Sequence, residues 1–289
     1  MPGTFEAFPT PNERHFLRAM MREPDELAGT ITPLSPADPP PCNIVNPDGQ
    51  GRVVLICEHG GRLVPQALGD LGLPPEAFEG HIAWDIGAAG VARAMSGILD
   101  APLLLQRYSR LVIDCNRSFQ SPDLIPEVSD GTQVPGNRGL TPEERQARHD
   151  AILVPFHDAV TKVLDSRPDP QRTIILMIHS FTPRLQSQGI ERPMHLGFLF
   201  NRDPRLGRAM VAAVRAENPA LIAEENAPYQ CSDLTDYAVP VHAEPRGVLH
   251  ALVEIRNDLI ATPDAQVAWA EILTRALARA LNTLEEAAE

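Results

Sequence analysis

The 289-residue sequence has no excess of basic charge: 25 Lys and Arg stand against 38 Asp and Glu, for a formal net charge of -13. Affinity for nucleic acid comes mainly from clustered cations that neutralise phosphates, and the arginine runs here are interleaved with carboxylates. Nucleic acid is therefore not expected as a partner. A small anionic substrate is compatible, because one or two arginines can reverse the field inside a pocket. Only four cysteines occur (Cys42, Cys57, Cys115, Cys231), with no C-x-x-C pair. Scattered thiols in a chain this long argue against a disulfide framework and for a reducing, cytoplasmic setting. No apolar run approaches the roughly 18 residues of a membrane helix. The segment Met1–Glu6 has neither the basic start nor the apolar stretch of an export signal. The expectation is a soluble protein with no membrane partner and no internal repeat.

What is present suits one large α/β domain: 43% hydrophobic and 22% charged residues can build a sizeable core. Ten of the 29 prolines fall in residues 1–50, among them Pro39, Pro40 and Pro41. Such density blocks regular structure in much of the stretch, so 1–50 reads as an N-terminal extension wrapping the domain, with room for one short helix over 12–22; the alternative is partial disorder. Residues 51–289 read as a single domain. Short apolar runs predict strands over 52–57, 103–106, 111–114, 173–179, 195–200 and 248–255. Between them the pattern predicts a helix over 85–99 with Val91, Met95 and Ile98 on one face. A second, over 141–165, turns Leu153, Phe156, Val160 and Val163 inward. Its start is marked by Thr141, Pro142 and Glu144, a capping-box arrangement. A final helix from Thr262 sets Trp269, Ile272, Leu273, Leu277 and Leu281 towards the sheet. Apolar strands alternating with helices imply a three-layer αβα sandwich around a mixed, mostly parallel sheet.

In such sheets, chemistry collects at the carboxyl ends of the strands. Four strands end on polar groups: Glu58-His59-Gly60-Gly61, Asp114-Cys115-Asn116-Arg117, His179-Ser180, and Glu254. A strand-end histidine alone is more often a hydrogen-bonded structural residue than a ligand. Two with a carboxylate make a three-ligand site with a fourth position open, the arrangement of catalytic zinc. Asp85, at the predicted start of the 85–99 helix, is the expected acidic ligand; the plainer alternative is a helix cap. His81 and Glu58 compete with it or orient a ligand from behind. Glu254, a carboxylate inside an apolar strand, is the candidate general base, the alternative being a salt bridge to Arg256 or Arg110. Arg110, Asn116 and Arg117 are candidates to grip a substrate carboxylate. Internal pairing of one of these arginines with Asp114 or Asp85 is the competing reading.

These pieces, with Trp84-Asp85-Ile86-Gly87-Ala88, Ser109 to Ser118, His179-Ser180-Phe181-Thr182-Pro183 and Glu254-Ile255-Arg256-Asn257, resemble in order the N-formylglutamate amidohydrolase family over about residues 52–260. The layout is more distantly similar to zinc carboxypeptidases and zinc muramoyl-alanine amidases. Carboxypeptidases have a glutamate three residues after the first histidine, where this chain has Arg62, which moves the acidic ligand to Asp85. The resemblance implies a phosphorylase/hydrolase-like fold and one zinc per chain, another divalent metal being possible, held by His59, Asp85 and His179. It further implies Glu254 as base and Arg110, Asn116, Arg117, Tyr229 and Arg256 as contacts for a small N-acyl amino acid. Residues 184–246, with Tyr229, Asp233 and His242, are expected to form loops over the pocket. The rival readings are a zinc peptidase or cell-wall amidase, and a binding protein that has kept the fold and lost the metal. An oligomer is compatible with every one of these.

Overall fold

A computed structural model describes residues 32–287. The short helix expected over 12–22 lies outside them. Seven strands form the sheet: β1 (Cys42–Val45), β2 (Val53–Cys57), β3 (Leu103–Gln106), β4 (Ile174–Phe181), β5 (Leu196–Leu199), β6 (Ala223–Glu225) and β7 (Leu249–Arg256). Their order is β1-β3-β2-β4-β7-β5-β6. The inner strands β3, β2, β4 and β7 run parallel, whereas β1 pairs antiparallel with β3 and β5 antiparallel with β7. The sheet thus takes its β1 edge from the proline-rich stretch before residue 51.

Strand residues alternate between two cores, as a sheet covered on both faces requires. Val53, Leu55, Ile174, Leu176, Ala251 and Val253 pack with α1 (Ala88–Leu99), α4 (Arg205–Glu217) and α5 (Pro263–Glu286). Val54, Ile56, Ile175, Met177 and Leu252 pack with Phe156, Val160 and Leu164 of α3 (Val154–Asp165) and with long loops. The fold is a three-layer α/β sandwich. Among the described residues no helix is long and apolar enough to cross a membrane.

Local chemistry explains the boundaries. Thr141 and Glu144 form the capping box at α2 (Pro142–Arg148), but the helix does not continue regularly to 165. A π-helical turn, His149–Leu153, joins α2 to α3. Helix α1 begins at Ala88 rather than 85, because Gly87 in the left-handed region (φ 82°) breaks the chain there. On α1, Val91 and Met95 are buried, whereas Ile98 is exposed.

The strand expected over 111–114 is a turn. Its carbonyls are taken by remote side chains instead of a neighbouring strand: Asn137 Nδ2 donates to Leu111 O (2.8 Å) and Arg148 Nη1 to Val112 O (3.1 Å). Asn137 Oδ1 accepts from the same Arg148 nitrogen at 2.7 Å. A buried guanidinium therefore shapes the loop that carries Asp114 to Arg117. Burial pushes the Arg148 pKa down to about 10.

The break at Gly87 positions Asp85. A Cβ there would lie 2.3 Å from Ile260 O and 2.7 Å from its side chain, on a backbone that L residues adopt at a cost. Gly87→Ala should therefore lose about 2–4 kcal/mol of stability in denaturant unfolding. Wild-type stability would show that this contact relaxes freely.

Candidate metal centre

Parallel strands β2, β4 and β7 end together, and the residues at their ends meet. On β4, Ile175 and Met177 face the α3 side, so alternation puts His179 on that side also. On β7 the same holds for Leu252 and Glu254. Parallel pairing sets Glu254 directly beside His179. His59 follows β2 and is fixed by the Asp85 N–H, which donates to His59 O at 2.9 Å. The turn after it needs Gly61, where a Cβ would fall 2.1 Å from Arg107 O. His59, Asp85 and His179, all buried, thereby present one ligand atom each to a common point.

The spacing of those atoms is that of a coordination shell. His59 Nδ1 and His179 Nδ1 are 3.1 Å apart, His179 Nδ1 and Asp85 Oδ2 2.9 Å, and His59 Nδ1 and Asp85 Oδ2 3.3 Å. Two ligands about 2.0–2.1 Å from one tetrahedral zinc are ~3.3 Å apart. The far side of each ring is held by a carboxylate: His59 Nε2 by Asp114 Oδ1 (2.6 Å) and His179 Nε2 by Glu58 Oε2 (3.0 Å). An N–H donated there turns each Nδ1 towards the shared point, the second-layer arrangement typical of metal-binding histidines.

Charge argues the same way. Glu58, Asp85 and Asp114 are buried carboxylates clustered here, and Glu58 Oε1 has no hydrogen-bond partner. Burial would raise all three pKa values, but His179 for Glu58, His59 for Asp85, and His59 with Arg110 for Asp114 hold them below the usual range. Burial likewise opposes charge on His179. The Glu58 carboxylate and the hydrogen bond to Asp85 outweigh it and keep the imidazole protonated well above its ordinary range. A proton on His179 Nδ1 thus stands where a cation would be better placed, and the donor set fits a divalent ion of the zinc class.

A cavity of about 330 Å³ opens over this cluster, lined by His81, Arg110, Asn116, Arg117, Tyr229, Thr235, Asp236 and Glu254 among others. Glu254 Oε2 is buried without a partner, and no salt bridge to Arg256 or Arg110 forms. Burial, with Asp85 adding to it, pushes the Glu254 pKa up to about 8 against the pull of His179. Arg110 is committed to the protein: Nη1 donates to Asp85 Oδ1 (3.2 Å) and Nη2 to Asp114 Oδ2 (2.9 Å). Asn116 is committed too. Its Oδ1 accepts from the Tyr237 N–H at 3.0 Å, and its Nδ2 donates to Asp236 Oδ1 at 3.2 Å. Arg117 binds the Thr235 carbonyl and lies 3.9 Å from Asp114.

Several expected positions differ. Arg256 does not line the cavity; its Nε donates to Asp258 Oδ1 (2.8 Å) and Nη1 to Pro193 O (3.3 Å). It lies on the same face of β7 as Glu254, but at the strand end the following turn offers it a carboxylate. Asp233 pairs with Arg202, and His242 is buried on His157 (2.9 Å), so of the three expected loop residues only Tyr229 reaches the cavity. Asp85 caps no helix, since Gly87 precedes α1. His81 lines the cavity 3.9 Å from Asp85, held neutral by burial at a pKa of about 4. Asp114 as the partner of His59 was not singled out from sequence. Its place on a strand-end motif beside two arginines was the available signal.

Two outcomes follow. Asp114→Asn should weaken zinc binding about 10–100-fold in competition with a chromophoric chelator, and unchanged affinity would deny Asp114 its orienting role. In metal-free protein, Glu254 binds a proton in the folded state between its ordinary 4.5 and about 8, where the unfolded chain does not. Its contribution to stability is therefore complete below about 4.5 and lost as pH rises through about 8. The melting temperature of Glu254→Gln should gain on wild type across that window; a gap that stays constant would place the carboxylate in water.

A family model described as N-formylglutamate amidohydrolase matches residues 51–261. Among solved structures, a gene product from Agrobacterium tumefaciens is 40% identical with a TM-score of 0.82, covering 87% of this chain and 99% of that one. An N-formylglutamate amidohydrolase from Ralstonia eutropha JMP134 shares the fold at 19% identity and a TM-score of 0.60, covering 85% of this chain and 99% of its own. No protein of curated function matches. With a described motif set, a fold and a family model in agreement, the chain belongs to the N-formylglutamate amidohydrolase family.

Proposed function

We propose that this protein is a metal-dependent hydrolase that cleaves the amide bond of a small N-acyl amino acid, N-formylglutamate or a close analogue, to the carboxylic acid and the free amino acid. The observation that carries the reading is the convergence of His59 Nδ1, His179 Nδ1 and Asp85 Oδ2 at 2.9–3.3 Å beneath a cavity that also holds the unpartnered Glu254 carboxylate. His59, Asp85 and His179 would hold one zinc or similar divalent ion per chain. Such an ion, when bound, supplies Lewis acidity to the amide carbonyl and acidifies water.

The chain's own groups do the rest. Glu254 Oε2, free of hydrogen bonds and raised in pKa by burial, takes a proton from the attacking water and returns it to the leaving amide nitrogen. Water's oxygen ends in the new carboxylic acid, and the nitrogen leaves as an amine. Arg110 balances Asp85 and Asp114 and keeps both carboxylates directed at the histidines. Arg117, half free of protein partners, binds the substrate's α-carboxylate, while Asn116 holds the 235–238 loop that forms the wall beside it. A cavity of about 330 Å³ suits a small ligand, which favours an N-acyl amino acid over a peptide. The free cysteines, three of them buried, support a cytoplasmic setting.

Glu254→Gln should lower kcat on an accepted N-formyl amino acid by about two to four orders of magnitude. Metal content, measured on the same preparation, should stay at one per chain. Full turnover in this variant would remove Glu254 from the role of base.

A further inference from the structure

His157 on α3 and His242 in the π-helical turn Val239–Ala243 are buried imidazoles that the amide-cleavage scheme does not use. Their rings meet, with His157 Nδ1 2.9 Å from His242 Nε2. The other nitrogen of His157, Nε2, lies 2.7 Å from the Cys115 carbonyl oxygen. Burial holds both rings neutral, His157 at a pKa of about 4 and His242 well below its ordinary range. One proton per ring then leaves a single arrangement. A carbonyl only accepts, so the His157 proton sits on Nε2 and its Nδ1 is bare. His242 carries its own proton on Nε2 and donates it to that bare nitrogen. The Tyr237 ring, 4.0 Å away between centroids and tilted by 30°, covers one face of His157.

Cys115 O belongs to the same planar amide as the Asn116 N–H, and in this trans unit the two point in opposite directions. That N–H donates to Asp114 Oδ1 at 2.9 Å. The same oxygen is 2.6 Å from His59 Nε2, whose N–H it accepts. Holding the carbonyl on one side of the amide therefore holds the N–H on the other, and with it the oxygen that orients His59. An unbroken chain of hydrogen bonds runs from His242 through His157, the Cys115–Asn116 amide and Asp114 to the His59 ring. A donor on the carbonyl also polarises the amide and strengthens its N–H as a donor in a low-dielectric interior. Cys115 is held at its side chain as well, where Gln106 Nε2 donates to Sγ at 3.0 Å.

We propose that His157, seated by His242, is a positioning residue for the metal centre: through the Cys115–Asn116 amide it sets Asp114 Oδ1, and so the direction of His59 Nδ1. The inference rests on the reading of His59 as a metal ligand, and its test needs no turnover. Zinc affinity is measured on the full chain by competition with a chromophoric chelator. His157→Phe keeps a ring against Tyr237 but loses the donor, and should weaken zinc about fivefold or more, the share of one buried hydrogen bond. His157→Gln, whose amide nitrogen reaches the place of Nε2, should restore most of that loss. Val160→Ala thins the core of the same helix without touching the chain of bonds, and should leave zinc affinity unchanged. Wild-type affinity in His157→Phe, or equal losses in His157→Phe and His157→Gln, would overturn the assignment. A matching loss in Val160→Ala would overturn it too, since lowered stability would then explain the effect. Nitrogen NMR of the zinc-loaded wild type needs no variant: His157 should carry its proton on Nε2, and a proton on Nδ1 would overturn the chain. If His59→Ala binds zinc as wild type does, the metal-ligand reading fails; if only His157 proves indifferent, this inference fails alone.

Discussion

Two imidazole nitrogens and a carboxylate oxygen, all on buried side chains, lie within 3.3 Å of one another beneath the cavity, and the arrangement of the surrounding groups follows from that crowding. Lone pairs directed at one point repel unless a cation or a shared proton sits between them. Holding them there takes outside restraint. Asp114 and Glu58 grip the far nitrogens, Arg110 bridges Asp85 and Asp114, and the Ser180 N–H adds a bond to Asp85 Oδ2 at 3.2 Å. The restraints come from β2, β4 and the loops after β2 and β3. A sheet that ends its parallel strands at one level is the simplest frame able to bring them together.

The cluster also shows why its surroundings carry so many buried polar groups. Isolated, each buried carboxylate would take up a proton rather than stay charged. Here histidines and Arg110 keep Glu58, Asp85 and Asp114 ionised, whereas Glu254, on the same face but without a partner on Oε2, is left with its pKa near 8. Environments that push neighbouring carboxylates apart in this way separate ligands from a proton carrier. The loop bearing Asp114 needs a further layer, in which Arg148 and Asn137 satisfy backbone carbonyls that no strand reaches. Interactions two shells out therefore govern the direction of His59.

Much of this was readable in the chain. Continuous apolar runs with polar endings at His59, His179 and Glu254 reveal strands covered on both faces and the level at which they stop. Thr141 and Thr262 announce their helices because capping is local. What was not readable depends on partners remote in sequence. Leu111 to Ile113 look like a strand, yet their hydrogen bonds go to residues 137 and 148. Arg256 shares a face with Glu254 by period-two alternation, but Asp258 two residues on captures it. Asp114 gains its meaning only from the histidine that the fold sets beside it.

His59, Asp85 and His179 define one point in space, and a direct test is to look for an ion there. Crystals grown with zinc and measured on both sides of its absorption edge should give one anomalous peak per chain. That peak should lie about 2.0–2.2 Å from His59 Nδ1, His179 Nδ1 and an Asp85 carboxylate oxygen. A peak held by other residues, or none at that point in zinc-saturated protein, would contradict the account.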